Sequence, residues 1–275
     1  MRMDDPAADP SHDRLTQDFD LLQTAVRDAG ALALSYFGRE VASTQKADGS
    51  PVSEADLAAD ELLRAALMTD RPDYGWLSEE TADEPSRLDA RFVWIVDPID
   101  GTRAFLAGTP EWTIAAALVD NGQPVLAAVF NPATAEIFTA RRGHGASLNG
   151  EAIAVGDRNR IEGCSIIASS GLFSKKIWQE PWPRMQVKWV NSIAYRLALV
   201  AQGRAHATIA LTPKSEWDLA AATLLVQEAG GRVTGIDASI LVFNQPVPRL
   251  KGLVAAGPDL HRLLVERTTT VPNSA

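Results

Sequence analysis

The sequence predicts an α+β fold built in packed layers, and three observations carry that prediction. Two amphipathic helical patterns open the chain, a block of short strands joined by tight turns follows, and strands and helices then alternate. From Leu15 onward, Phe19, Leu22, Val26, Ala29, Ala33 and Tyr36 recur at steps of three and four, which is one face of a long helix, and Gly38 suits its C-terminal cap. After a polar loop over 46–51, Ala59, Leu62, Leu63, Ala66 and Leu67 form the buried stripe of a second helix. Ser53 with Asp56 has the form of a capping box at its start. The period then changes. The run 92–96 reads as a buried strand, and 113–119 and 125–130 flank Asp120, Asn121 and Gly122 as a hairpin. Residues 136–140 continue the meander, and Asn149-Gly150 marks a further tight turn before Ile153. Beyond it the pattern predicts a strand over 164–169, a helix over 173–178, a strand over 187–190, a helix over 192–201 and a strand over 208–211. A helix over 218–229 is closed by Gly230 and Gly231, and a strand over 253–256 leads to a last helix after Pro258. Residues 1–13 and 268–275 lack periodicity and are expected to be disordered tails. A soft boundary near residue 150 separates an N-terminal α+β subdomain, 14–150, from a C-terminal α/β subdomain, 151–267.

Composition narrows the function classes. The 275 residues are 46% hydrophobic and 22% charged, enough for a sizeable core. A net charge of -9 argues against a binder of nucleic acid polymers, which needs a positive field to collect phosphates. Cys164 is the single cysteine, so an intrachain disulfide and a cysteine metal site are both excluded, and it reads as a small buried apolar residue. No apolar run approaches the ~20 residues of a membrane span, and the first residues are acidic instead of basic-then-apolar, so the expected location is the cytoplasm.

The most informative stretch is WIVDPIDGT, from Trp94 to Thr102. A buried strand ending at Asp97, followed by Pro98 and the Asp100-Gly101 turn, presents two carboxylates at one strand end. Acids held this close repel each other unless a cation lies between them, and hard divalent ions with oxygen ligands serve that purpose. The plainer reading is that Asp97 and Asp100 cap a turn and a helix. Further acids stand ready elsewhere: Glu79 and Glu80 after Trp76-Leu77-Ser78, Asp218 after Trp217, and Asp56 in its capping box. Gly101 and Thr102 add backbone N–H groups at a helix start, with no side chain at Gly101 to block a phosphate.

Together these residues resemble the lithium-sensitive, magnesium-dependent phosphatases of the inositol monophosphatase superfamily, which also contains the fructose-1,6-bisphosphatases. SEADLAADE around Asp56, WLSEE ending at Glu80, WIVDPIDGTRAFLAG from Trp94 and SEWDLAAATLLVQEAGG from Ser215 stand in the family's order and span most of the chain. The resemblance implies a layered α/β/α/β/α sandwich with its site between the two halves, and two or three Mg²⁺ ions per site. Glu79, Asp97 and the carbonyl of Ile99 would hold one ion, and Asp97, Asp100 and Asp218 another. By the same resemblance Asp56 and Thr102, with Glu79, orient or deprotonate the attacking water, while Glu80 and Lys46 sit beside the ligands. Phosphate would rest on Gly101, Thr102 and the metals, with Asp218 and Arg196 on the substrate side. Many relatives form homodimers.

The substrate implied is a small phosphorylated metabolite. The stretches DGSPVSEAD from Asp48 and RPDYGWLSEET from Arg71, with RAFLAG after the DGT, favour the 3′(2′),5′-bisphosphate nucleotidases. Arg196 offers a cation for a second phosphate, against the plainer reading of a helix-surface arginine. Inositol-type monophosphatases rank second, with Lys188 and Trp189 shaping a different pocket, and histidinol-phosphate phosphatases third, because Trp217 precedes the last aspartate. Trp112 reads as packing. A catalytically idle relative that binds phosphate esters or a protein is the non-enzymatic alternative, disfavoured because clustered acids without a use cost stability.

Overall fold

The computed structural model describes residues 10–47 and 49–271, so Asp48 lies outside the described residues. Helix α1 (Pro10–Tyr36) starts inside the expected tail 1–13, because proline at the first helical position lacks only a hydrogen that has no partner there and Asp13 favours the first turn; residues 1–9 lie outside the described residues. A small antiparallel pair, β1 (Ser43–Gln45) and β2 (Pro51–Ser53), leads into α2 (Glu54–Met68). Strands β3 (Gly75–Ser78) and β4 (Phe92–Asp100), helix α3 (Thr102–Leu106), then β5 (Thr113–Asp120), β6 (Gln123–Asn131), β7 (Glu136–Arg141), β8 (Ala146–Leu148) and β9 (Glu151–Ala152) follow. The seven strands form one sheet in chain order, antiparallel throughout except for the β3–β4 pair. Asn121 and Gly122 both adopt positive φ, 48° and 79°, which is what the two-residue turn between β5 and β6 demands.

The second half supplies β10 (Ser165–Ile167), β11 (Gln186–Lys188), α4 (Ile193–Ala201), β12 (Ala207–Ala210), β13 (Lys214–Ser215), α5 (Glu216–Glu228), β14 (Arg232–Thr234), β15 (Arg249–Leu250), β16 (Leu253–Ala256) and α6 (Pro258–Thr268). Five of these strands make a mixed sheet in the order β11-β10-β12-β16-β14. The expected helix over 173–178 is one 3₁₀ turn, Leu172–Ser174. Tertiary contacts override its pattern: Trp182 stacks edge-on against Phe173 and Trp178, each at 4.9 Å, and the Trp178 indole donates to the Leu172 carbonyl at 2.8 Å. The expected C-terminal tail is also too long, since Thr268 is buried with its hydroxyl on the Ile236 carbonyl and Val271 is buried as well; residues 272–275 lie outside the described residues.

Alternation of side chains sorts the core into three slabs and so fixes the layers. One face of the large sheet, including Trp94, Val96, Ile114, Ala116, Leu118, Leu126 and Ala128, packs on α1 and α2 through Leu22, Val26, Ala59 and Leu63. The opposite face, with Val93, Ile95, Ala115, Ala117 and Val129, packs on α4 and α5. Those helices cover one side of the five-stranded sheet, through Ile167, Ala210, Leu253 and Ala255, while Ile166, Ile209, Val254 and Ala256 on its other side meet Leu260 and Leu264 of α6. The result is an α/β/α/β/α sandwich. Each fully buried leucine or isoleucine in it contributes about 1.5–3 kcal/mol of transfer free energy. Because α5 is shared by both sheets, the boundary near 150 does not divide the core, and it falls inside the β8–β9 hairpin. No described helix is long and apolar enough to cross a membrane.

Candidate active site

The site begins with an irregularity in β4. Asp97 stands opposite Ala115 and Asp100 opposite Thr113, so three steps on β4 match two on β5. A regular strand points residues three apart to opposite faces; the one extra residue restores the parity and turns both aspartates toward the α4–α5 side. Pro98, which has no N–H to donate, sits inside the bulge, and the strand continues to Asp100 instead of ending at Asp97. Gly101 follows with φ +101°, and an added Cβ would lie 2.8 Å from the Glu111 carbonyl oxygen and 3.3 Å from Ser192 Cβ. The glycine is therefore required by conformation and by neighbouring chain, a different reason from the open approach for phosphate that the sequence suggested.

Three acids from distant parts of the chain converge on this turn. Glu79 follows β3, held beside β4 by its N–H on the Val96 carbonyl at 3.3 Å, and Asp218 lies in the first turn of α5. One carboxylate oxygen from each of Glu79, Asp97 and Asp218 lies within 4.8 Å of the others. Asp97 is almost fully buried; Oδ1 accepts from the Ile99 N–H at 3.1 Å, and Oδ2 has no hydrogen-bond partner among the described residues. Burial, then the charges of Glu79, Asp100 and Asp218, push Asp97 well above the usual carboxylate range. Asp218 is pushed up likewise, by burial first and then by Asp100 and Glu79. An orphaned buried oxygen beside two further carboxylates is unfavourable unless protons or a cation compensate it, and an all-oxygen donor set suits a hard divalent cation. Asp100 stands outside this trio. Its Oδ2 accepts from the Ser192 hydroxyl and the Ala194 N–H, both at 2.6 Å, so one of its oxygens is committed to the start of α4.

Two of the candidate site acids, Asp56 and Asp218, also cap helices. Asp56 Oδ2 accepts from the Ser53 N–H at 2.9 Å and hydroxyl at 2.5 Å, completing the capping box, while Oδ1 accepts from the Thr102 hydroxyl at 3.0 Å. The Thr102 hydroxyl also lies 3.1 Å from the Ile99 carbonyl, and its single proton serves one acceptor at a time. Burial raises the pKa of Asp56, partly offset by Ser53 and Thr102. Asp218 repeats the arrangement, with one oxygen on the Ser215 N–H at 3.1 Å. Lys46 donates to both Glu79 and Glu80 at 2.7 Å, yet burial and the Glu79 charge still hold Glu80 up at about 7. The sequence reading did not single out Asp60, one helical turn beyond Asp56. Its buried carboxylate accepts from the Ser78 and Thr81 hydroxyls, which flank Glu79 and Glu80, and its spacing from Asp56 on α2 was the available signal.

Arg196 is buried, so it is not a helix-surface arginine. Its Nε donates to the Val190 carbonyl at 2.7 Å and its Nη2 to the Asn191 carbonyl at 3.3 Å. The guanidinium lies 4.0 Å from the ring centre of Trp189, which is 52% exposed, and Asp100 and Asp218 act on its charge. Trp112 is fully buried against Phe37 and Phe105, and Trp217 packs on the core.

Comparison with known proteins agrees with this architecture. Residues 15–272 match the Inositol monophosphatase family. An inositol-1-monophosphatase of Rhizobium meliloti is 38% identical over 218 residues, 75% of this chain and 81% of that protein. A histidinol-phosphatase of Chlorobaculum parvum is 36% identical over 230 residues, 79% and 85% respectively. The solved IMPase of Thermotoga maritima superposes with a TM-score of 0.78 at 29% identity, covering 93% of this chain and 96% of that one. With the layers, the acidic motifs and the match over residues 15–272 in agreement, the chain belongs to the inositol monophosphatase family and is a phosphoric monoester hydrolase.

Proposed function

We propose that the chain is a magnesium-dependent phosphatase acting on a small soluble phosphorylated metabolite. The observation that supports this most directly is the Glu79–Asp97–Asp218 cluster with its unsatisfied Asp97 oxygen. Those acids, with Asp100 and the Ile99 carbonyl, are the groups that would hold two or three Mg²⁺ ions. Bound there, magnesium supplies the positive charge that offsets the cluster, lowers the pKa of water and stabilises phosphoryl oxygens. The remaining work falls to the protein. Thr102, hydrogen-bonded to Asp56 Oδ1, orients the attacking water and relays its proton to Asp56, whose pKa is raised by burial toward the range useful for a base. Gly101 and Thr102 at the start of α3 receive the phosphate, and Glu80 with Lys46 holds Glu79 in place. Phosphate release that requires Mg²⁺ and disappears in Asp97→Asn is the expected result; an unchanged rate in that variant defeats the proposal.

For the substrate, adenosine 3′,5′-bisphosphate ranks first. Trp189, exposed on one side and backed by the Arg196 guanidinium, suits a planar base in the leaving group. With Nε and Nη2 on backbone carbonyls, Arg196 supports this platform more directly than it meets a second phosphate. The second reading, inositol 1-phosphate, is favoured by the name of the Rhizobium meliloti relative, and histidinol phosphate follows from the Chlorobaculum parvum one. A panel at fixed Mg²⁺ decides: a kcat/KM preference for the nucleotide below about tenfold, or ~1.4 kcal/mol, rejects the first choice. A cytoplasmic homodimer belongs to this reading by resemblance, and sedimentation of the full chain tests the dimer.

A further inference from the structure

Glu79 and Asp218 approach each other although they repel and belong to segments far apart in sequence, and a polar network, buried at Arg87 and Glu216 and exposed at Asp83, spans the gap between those segments. Arg87, in the 3₁₀ turn Pro85–Asp89, is 2% exposed. Its guanidinium grips Asp83 with two parallel bonds, Nε to Oδ1 at 2.6 Å and Nη2 to Oδ2 at 2.9 Å, and Asp83 lies four residues beyond Glu79. From there Nη1 reaches the Asn244 side-chain oxygen at 2.6 Å and Nη2 the Gln245 carbonyl at 3.0 Å, while the Asn244 amide returns a bond to the Arg87 carbonyl at 3.2 Å. The N–H groups of Asn244 and Gln245 in turn donate to the two oxygens of Glu216, at 2.5 and 2.9 Å. Glu216 is fully buried and opens α5, two residues before Asp218. An unbroken chain of bonds therefore joins the segment carrying Glu79 to the helix carrying Asp218.

Burying charged groups such as Arg87 and Glu216 is a poor way to gain stability alone, because apolar side chains of similar volume do as well or better. Its directional bonds instead fix relative position. We infer that Arg87 is a positioning residue for the metal site: it latches the Glu79 segment onto α5 and holds Glu79 and Asp218 at ligating separation against their repulsion. Asp60, through Ser78 and Thr81, fixes the Glu79 peptide on its own sheet; the latch sets where α5 stands relative to it. This inference rests on the metal-site reading proposed above.

The test uses the full chain, stripped of divalent cations and titrated with Mn²⁺ and with Mg²⁺ by calorimetry, alongside Arg87→Lys and Asn244→Gly. Lysine keeps the charge and loses the planar fork, while glycine tolerates the positive φ of 59° that Asn244 adopts. The expected outcome is a Kd about tenfold higher in Arg87→Lys, in line with the cost of losing groups that orient metal ligands, and a smaller rise in Asn244→Gly. Circular dichroism checks that each variant is folded, and if Arg87→Lys fails to fold, Asn244→Gly decides. Binding within twofold of wild type in a folded variant overturns the latch. So does a melting temperature lowered equally with and without cation at unchanged Kd, which marks a purely structural role. If the wild type itself takes up neither cation, the metal-site reading falls with it, and that result is distinct from unchanged affinity in the variants.

Discussion

Asp97 combines full burial with an unpartnered oxygen inside a cluster of like charges. Its carboxyl is buried, one oxygen is unpartnered among the described residues, and its folded pKa lies above the unfolded value. Between those two values the folded protein holds a proton that the unfolded chain releases, so metal-free stability falls as pH rises through that window. Asp97→Asn removes the charge and much of the slope. The expected outcome is a metal-free variant that melts above wild type at pH 7.5, with the difference shrinking toward pH 5; a metal-free wild type whose melting temperature is unaffected by the substitution would contradict the burial argument. Trp189 is the other residue with a measurable consequence. Base stacking on an aromatic ring is worth about 1–3 kcal/mol. Trp189→Ala is therefore expected to lower kcat/KM for adenosine 3′,5′-bisphosphate by about five- to 150-fold through KM and to leave inositol 1-phosphate unchanged. Equal losses on both substrates would remove the tryptophan from recognition.

Among the elements, the end of β4 decides the most. The bulge between Asp97 and Asp100 sets which face both acids occupy, and Gly101 closes it at φ +101°. Alanine at that position meets the Glu111 carbonyl and an unfavourable φ together, so Gly101→Ala is expected to cost about 2–3 kcal/mol in urea unfolding. Activity should fall further than the residual folded fraction explains, because Asp100 and Thr102 are displaced with the turn. Helix α2 contributes in a different way. Asp56 and Asp60, four residues apart on it, touch Thr102 and the Ser78–Thr81 segment respectively, so one rigid rod relates the proposed Asp56–Thr102 relay to the Glu79 loop.

At the scale of the whole molecule, α5 is sandwiched between two sheets and carries both Asp218 and Glu216, which makes the site sensitive to how the halves pack. The outermost layer adds a pH response of its own. His261 on α6 is buried beside Thr234, and burial, with Arg232 nearby, depresses its pKa to about 4. The unfolded chain binds a proton near pH 6.5 that the folded protein refuses, so the stability due to neutral His261 is complete above that pH and is lost as pH falls toward 4. Between pH 7 and 5 the loss is about 2 kcal/mol. His261→Gln is expected to flatten this part of the wild-type profile in denaturant unfolding, and a profile unchanged by the substitution would show that His261 titrates normally.

Local order was legible without coordinates: the helical stripes, the Asn121-Gly122 and Asn149-Gly150 turns, the Ser53–Asp56 capping box and the acidic motifs all rest on interactions between residues a few positions apart. The 3₁₀ turn in place of a helix at 173–178 shows where that logic stops, since an aromatic cluster formed with Trp182 outweighs a weak local preference. Which acids meet was a tertiary decision. A single extra residue in β4 reverses the parity that a strand pattern assumes. Asp100 turns one oxygen to Ser192, and Arg87 finds Asn244 157 residues away. Sequence determined the chemical inventory and its local presentation; only packing of the layers determined the distances, because electrostatics and hydrogen bonds act through space and carry no memory of separation along the chain.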